Sequence, residues 1–135
     1  MNSNDQDRNT GGFFSEKIGF EYVERTQDRV KATLLVREDL CNDGPGIMHG
    51  GALMAFADTL GAQATGLNLP PNAGTTTIES KTNFFVGIQS GETITAICTP
   101  LHRGRSTMVW QTRIETEEGK LAALVIQTQM VLMPE

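Results

Sequence analysis

Apolar residues recur along the chain with two different periods. In one stretch Val30, Ala32, Leu34 and Val36 alternate with Arg29, Lys31 and Thr33, as expected of a strand with one covered face. Residues 22–25 read as its hairpin partner across Thr26, Gln27 and Asp28. Ahead of them Phe13, Phe14, Ile18 and Phe20 fit a short helical or irregular segment that pins the chain's start to the body. The second half predicts four more strands, at 75–85, 93–101, 106–115 and 121–133, separated by Gly87, Ser90-Gly91, Gly104 and Glu117-Glu118-Gly119. In two of them Ile94, Ala96 and Cys98, and then Met108, Trp110, Thr112 and Ile114, fall on one side.

Between the two groups of strands the period changes to that of a helix, from residue 50 to about residue 66. Leu53, Phe56, Ala57, Leu60 and Ala64 form a stripe at spacings of three and four that should lie on the sheet. The opposite face carries Gly51, Met54, Ala55, Asp58, Gly61, Ala62 and Thr65, so the helix is small or apolar nearly all round and calls for cover on both sides. Gly61 and Ala62 would let a second helix approach, which makes another subunit the expected cover. The reading is an α+β domain at residues 13–135, with an antiparallel β-sheet wrapped around a long central α-helix. Residues 1–12, polar apart from the initiator Met, are expected to form a disordered tail.

Composition narrows the class. The chain has 135 residues, 39% hydrophobic, enough for one domain. Its net charge of -5 argues against a nucleic-acid partner. No apolar run approaches the roughly 18 to 20 residues that cross a bilayer, and the polar start does not read as an export signal. Cys41 and Cys98 have no companions at metal-ligand spacing. The expectation is a cytoplasmic protein without metal site or disulfide.

Candidate chemistry concentrates on the helix. Across the 35 residues from Gly44 to Ile78 the only formally charged side chain is Asp58. A carboxylate in such surroundings is costly unless it is hydrogen-bonded or used. At the start of the helix, His49-Gly50-Gly51 follows the loop Asn42-Asp43-Gly44-Pro45-Gly46. The first turn of a helix has N–H groups without internal partners and a partial positive charge, and glycine there admits a substrate to the backbone, as an oxyanion hole requires. Asp58 stands about 10 to 12 Å along the axis from that terminus, too far to share one carbonyl with it. Two such helices side by side across a two-fold axis would bring the Asp of one to the terminus of the other and create two equivalent sites.

The stretch His49-Gly50-Gly51-Ala52-Leu53, with Asp58 in Phe56-Ala57-Asp58 and Asn42 upstream, resembles the signature of hotdog-fold acyl-CoA thioesterases of the phenylacetic acid degradation (PaaI) type, over about residues 13–133. Asn42 stands seven residues before His49, one more than that pattern has. The resemblance implies hydrolysis of an acyl- or aryl-acyl-CoA thioester to free acid and CoA, with Asp58 as general base or nucleophile. Gly50 would donate its N–H to the thioester carbonyl, Gly51 would lie against the substrate, and His49 and Asn42 would position substrate and water from the opposite subunit. Thr77 falls where relatives carry a hydroxyl that orients the attacking water. The turn His102-Arg103-Gly104-Arg105-Ser106 would meet the phosphates of CoA, with Lys81 beside it as a further candidate. Phe84, Phe85 and Met54 would line the acyl or pantetheine tunnel. The resemblance also implies a homo-oligomer, at least a dimer and commonly a tetramer, with sites at the subunit interface and no cofactor beyond CoA as part of the substrate. Two alternatives stand beside this reading: a hotdog enoyl-CoA hydratase or dehydratase, and a non-catalytic acyl-CoA-binding module.

Overall fold

The computed structural model describes residues 13–43 and 46–135. The expectations for residues 1–12, and for Gly44 and Pro45 in the turn, lie outside the described residues. The elements are a one-turn helix α1 (Phe14–Ile18), strands β1 (Glu21–Arg25) and β2 (Val30–Leu35), a 3-10 turn (Glu38–Leu40), the long helix α2 (Gly50–Gly66), and strands β3 (Gly74–Phe84), β4 (Thr93–Arg103), β5 (Thr107–Glu115) and β6 (Leu121–Leu132). The six strands form one sheet in the order β1-β2-β4-β5-β6-β3, with every pairing antiparallel. The α+β reading holds, and so does the order of elements.

One face of this sheet wraps α2. Val30, Ala32 and Leu34 from β2, Ile94, Ala96 and Cys98 from β4, and Met108, Trp110 and Ile114 from β5 are all buried, so the period-two alternation reports the covered face faithfully. Leu53, Phe56, Ala57, Leu60 and Ala64 meet them from the helix. Burial of this apolar area is the main stabilising term of the fold.

The far face of α2 differs from expectation at two positions. Gly61 and Thr65 are buried against the sheet of their own chain. A Cβ added at Gly61 would fall on the side-chain amide of Gln127 in β6, so this glycine serves helix-to-sheet contact and not the approach of a second helix. Thr65 Oγ1 accepts the indole N–H of Trp110 at 2.8 Å, satisfying a buried donor. Met54, Ala55, Asp58 and Ala62 remain only half-buried.

A bulge in β3 shapes the inner face at its edge. Thr77 pairs with Gln129 and Glu79 with Thr128, so Ile78 is the extra residue. Ahead of the bulge Thr75 and Thr77 turn inward, and beyond it Ser80 and Thr82 do. One inserted residue exchanges the faces of every later side chain.

Candidate active site

The N-terminus of α2 is built by the residues just before it. Asn42 donates its backbone N–H to Ile47 O at 2.9 Å, and His49 N–H donates to Leu40 O at 2.8 Å. These bonds close the loop and set the direction in which the helix starts. His49 is the N-cap: its Nδ1 accepts from Gly51 N–H at 2.8 Å, and its carbonyl accepts from Ala52 and Leu53. A neutral imidazole accepting at Nδ1 carries its proton on Nε2. Three of the four free N–H groups of the first turn are thereby taken. The fourth, Gly50 N–H, makes no hydrogen bond among the described residues. Gly50, the expected oxyanion donor, is thus open, whereas Gly51, expected against the substrate, has its N–H committed to His49.

Two cavities flank this terminus. One of about 300 Å³ is lined by Gly50, Leu53, Ile47, Phe84, Phe85 and Ile88 among others. The other, of about 390 Å³, lies on the His49 and Gly51 side and is walled by Leu40, Cys41, Ala52, Ala55 and the α1 residues Phe14, Lys17 and Ile18. Arg37 secures that wall by donating to Ile18 O at 2.7 Å and Lys17 O at 2.9 Å, so the C-terminal carbonyls of α1 are capped by a cation. Asp58 and Met54 line neither cavity.

Asp58 is half-buried two turns further along α2, and it has more polar company than its sequence neighbours suggest. Thr77 Oγ1 donates to Asp58 Oδ1 at 2.6 Å. Gln127 Nε2 donates to the same oxygen at 3.3 Å. Gln129 Nε2 lies 2.5 Å from Thr77 Oγ1, and Thr75 Oγ1 donates to Gln129 Oε1 at 3.0 Å. Asp58 Oδ2 receives no hydrogen bond from the described residues. The expected juxtaposition of Asp58 and Thr77 is therefore present, with Thr77 the last inward residue of β3 before the bulge.

Gln127 and Gln129 are absent from the sequence reading. Both are fully buried, and the signal was there: Ala123, Val125 and Val131 are the other inward residues of β6, so two amides interrupt an otherwise apolar column.

The remaining candidates are scattered within one protomer. Asn42 is exposed in the loop before His49. Lys81 is exposed on β3 with the parity of the outer face, away from the helix. Phe84 sits at the helix terminus, where its ring atom Cζ would lie 3.1 Å from a Cβ at Gly50. The turn between β4 and β5 lies beside the other end of α2. There Arg103 Nη1 donates to Asp28 Oδ1 at 2.8 Å, to Gln27 O at 3.0 Å and to Asn68 Oδ1 at 3.4 Å. Arg103 is thus engaged by an aspartate and two carbonyl oxygens, while Arg105 and Ser106 are exposed. A Cβ at Gly104 would come within 2.9 Å of Thr107 O, so the glycine serves the tight turn. Among the described residues no cluster of three or more His, Cys, Asp or Glu is placed to hold a metal ion, and no helix is long and apolar enough to cross a membrane.

A six-stranded antiparallel sheet wrapped on one long helix is the hotdog fold, and the relatives that share it are thioester hydrolases. The chain belongs to the thioesterase superfamily, whose family profile matches residues 45–123. It is 32% identical over 110 residues to the proofreading thioesterase EntH of Cronobacter turicensis, which covers 81% of this chain and 78% of that protein. The fold superposes on a Haemophilus influenzae thioesterase with a TM-score of 0.85 at 28% identity, covering 98% of this chain and 91% of that one. A mutant of the phenylacetic acid degradation protein PaaI of Thermus thermophilus superposes with a TM-score of 0.78 at 26% identity, covering 87% and 96%. The likeness to PaaI-type thioesterases read from the His-Gly-Gly motif is borne out.

Proposed function

We propose that the protein hydrolyses acyl-CoA thioesters in a homo-oligomer, using Gly50 of one subunit and Asp58 of its partner. The observation that carries this reading is the separation of the two groups. Gly50 N–H opens onto an apolar cavity that Asp58 does not line, and about 12 Å of helix lies between them. A thioester oxygen held at Gly50 is completed by a carboxylate only if a second chain brings one. The edge strand β3 offers the means of pairing. It is 11 residues long and has one neighbour, β6, and Ile78, Phe84 and Phe85 near it are each more than half exposed. A long apolar edge of this kind is ordinarily covered.

Within such a site, Gly50 N–H at the positive end of α2 stabilises the oxyanion as the carbonyl carbon becomes tetrahedral. Asp58 Oδ2, without a donor among the described residues, takes the proton of an attacking water or attacks the carbonyl itself. Thr77 holds the other oxygen. His49 Nε2–H is a further donor at the helix start, on the side of the neighbouring cavity that His49 and Gly51 line. This arrangement disfavours the hydratase alternative, since a histidine whose Nδ1 is tied to Gly51 N–H is set as a cap. For the CoA phosphates the exposed Arg105 and Ser106 are the candidates, with Arg103 held back by Asp28.

The test is thiol release from acetyl-, hexanoyl-, palmitoyl- and phenylacetyl-CoA by the wild type and by Asp58→Asn. Release from at least one ester by the wild type, reduced roughly 100-fold or more in the variant, supports the reading. Equal release by both proteins removes Asp58 from the mechanism. Binding of CoA esters without release would instead mark a non-catalytic module. Sedimentation of the purified protein as a dimer or tetramer supports the shared site, and a monomer with full activity refutes it.

A further inference from the structure

We infer that Gln127 and Gln129 are positioning residues that set which oxygen of Asp58 reacts and keep the Thr77 proton on the other. This rests on the reading of Asp58 as the reacting carboxylate. The polarity of the chain Thr75, Gln129, Thr77, Asp58 follows from what each group can donate. An ionised carboxylate only accepts, so the Thr77 hydroxyl must point its single proton at Asp58 Oδ1, 2.6 Å away. That hydroxyl can then only accept from Gln129, whose Nε2 faces it at 2.5 Å. Gln129 Oε1 in turn faces Thr75 Oγ1 at 3.0 Å, whose one proton is shared between that oxygen and Met130 O at 2.8 Å. Were the Gln129 amide reversed, its oxygen would claim the Thr77 proton and leave Asp58 Oδ1 against a lone pair. Gln129 acts on Asp58 through Thr77.

Gln127 acts on the same oxygen directly. Its Nε2 reaches Asp58 Oδ1 at 3.3 Å and the Asp58 backbone carbonyl at 3.5 Å, both acceptors that require the amide nitrogen on this side. In this orientation Gln127 Oε1 is buried with no hydrogen-bond partner among the described residues, which is unfavourable for folding. The same side chain also occupies the space that a Cβ at Gly61 would need, so α2 must carry a glycine in mid-helix. A fully buried amide that costs stability twice, in a column otherwise apolar, is better explained by its effect on Asp58 than by packing. With Oδ1 held by two donors, Oδ2 is left as the oxygen with its lone pairs available.

The experiment measures kcat, KM and Tm with the ester that gives the fastest turnover in the panel above. The variants are Gln129→Met, Thr77→Val, their double, Gln127→Met and Asp58→Asn. Removing a hydrogen bond to a charged group corresponds to roughly a 10- to 100-fold loss. Thr77→Val should lower kcat by that factor, and Gln129→Met, which loses a bond between two neutral groups, by roughly 2- to 10-fold, each with KM little changed. The double variant should be no slower than Thr77→Val, because Gln129 has nothing left to orient. Gln127→Met should lower kcat while Tm stays level or rises, an outcome that a merely structural amide would not give. Losses that multiply in the double variant, a kcat unchanged in the Gln variants, or a kcat loss matched by a fall in Tm would each overturn the inference. If Gln129→Met does not fold, Gln129→Asn decides: it keeps the amide but is one methylene too short to reach Thr77, so a several-fold fall in kcat supports the inference and an unchanged kcat overturns it. Asp58→Asn separates the two levels. An active Asp58→Asn defeats the functional reading itself, whereas an inactive Asp58→Asn beside fully active Gln variants defeats only this inference.

Discussion

The ring of Phe84, at the end of β3, stands against Gly50, so that a Cβ on the glycine would meet ring carbons at 3.1 and 3.3 Å. The helix terminus and the edge strand thus share one wall of the cavity at Gly50, and the open N–H lies at their junction. This permits a clean deletion of the proposed oxyanion donor. Gly50 is the first helical residue, where proline is tolerated because its missing N–H has no intrahelical partner. His49, with φ -63 and ψ 132, already has the extended backbone that a following proline requires. Gly50→Pro should therefore fold, with Phe84, half exposed, moving slightly aside, and should lose roughly 100- to 1,000-fold in kcat. Turnover within a few-fold of wild type, alongside a normal circular dichroism spectrum, would remove Gly50 from the mechanism.

Gly61 and Gln127 should be coupled in stability. Gly61→Ala inserts a methyl onto a buried amide and should cost about 1–3 kcal/mol in denaturant unfolding, despite alanine's better helix propensity. Adding Gln127→Ala vacates that space, so the double variant should recover part of the loss while remaining slow in thiol release. A Gly61→Ala protein as stable as wild type would contradict the close approach of α2 and β6.

Much of this architecture was legible because burial is one-sided. Val30 through Leu34, Ile94 through Cys98 and Met108 through Ile114 alternate since each strand has one face on α2, and the helical stripe of Leu53, Phe56, Leu60 and Ala64 has the matching period. Asp58 stood out as a lone charge, and its neighbour Thr77 came from the family resemblance. What the sequence hid depends on contacts made across the fold. The bulge at Ile78, which puts Ser80 and Thr82 on the same face as Thr77, is set by register against β6. The engagement of Arg103 depends on Asp28, 75 positions earlier. His49 as an N-cap was within reach, since a side-chain acceptor just before a helix is a local signal, but a histidine beside glycines reads more readily as chemistry. Gln127 and Gln129 were also within reach, as polar breaks in an inward column.

Stability should fall on the alkaline side. Burial pushes the Cys98 thiol from its ordinary 9.0 up to about 11, and burial raises the Tyr22 phenol as well, against a smaller opposing pull from Arg25. Both groups are neutral in the folded state where the unfolded chain would already be ionised. Their contribution is thus fully present below the unfolded value and is lost as pH rises through the folded one. For Cys98 the window runs from about pH 9 to about pH 11 and amounts to about 2 to 3 kcal/mol. Urea unfolding of wild type and Cys98→Ala at pH 8 and pH 11 should show a smaller alkaline loss in the variant. An equal loss in both would show that the thiol is not what titrates.

The sharing of one site between two chains can be tested by mixing two inactive proteins. Gly50→Pro keeps Asp58, and Asp58→Asn keeps Gly50. If each site takes Gly50 from one subunit and Asp58 from the other, a mixed dimer has one site with both groups intact and one with neither. Random reassociation of equal amounts makes about half the dimers mixed, so the mixture should recover about a quarter of wild-type turnover. Were both groups drawn from the same chain, every site in the mixture would lack one of them and no activity would return. The recovery should appear only after denaturation and joint refolding, or after slow subunit exchange, and a control mixture of Asp58→Asn with Thr77→Val should read out whether Thr77 travels with Asp58. Because Thr77 Oγ1 bonds to Asp58 within one chain, that control mixture should stay near the activity of the Thr77→Val protein, diluted by half.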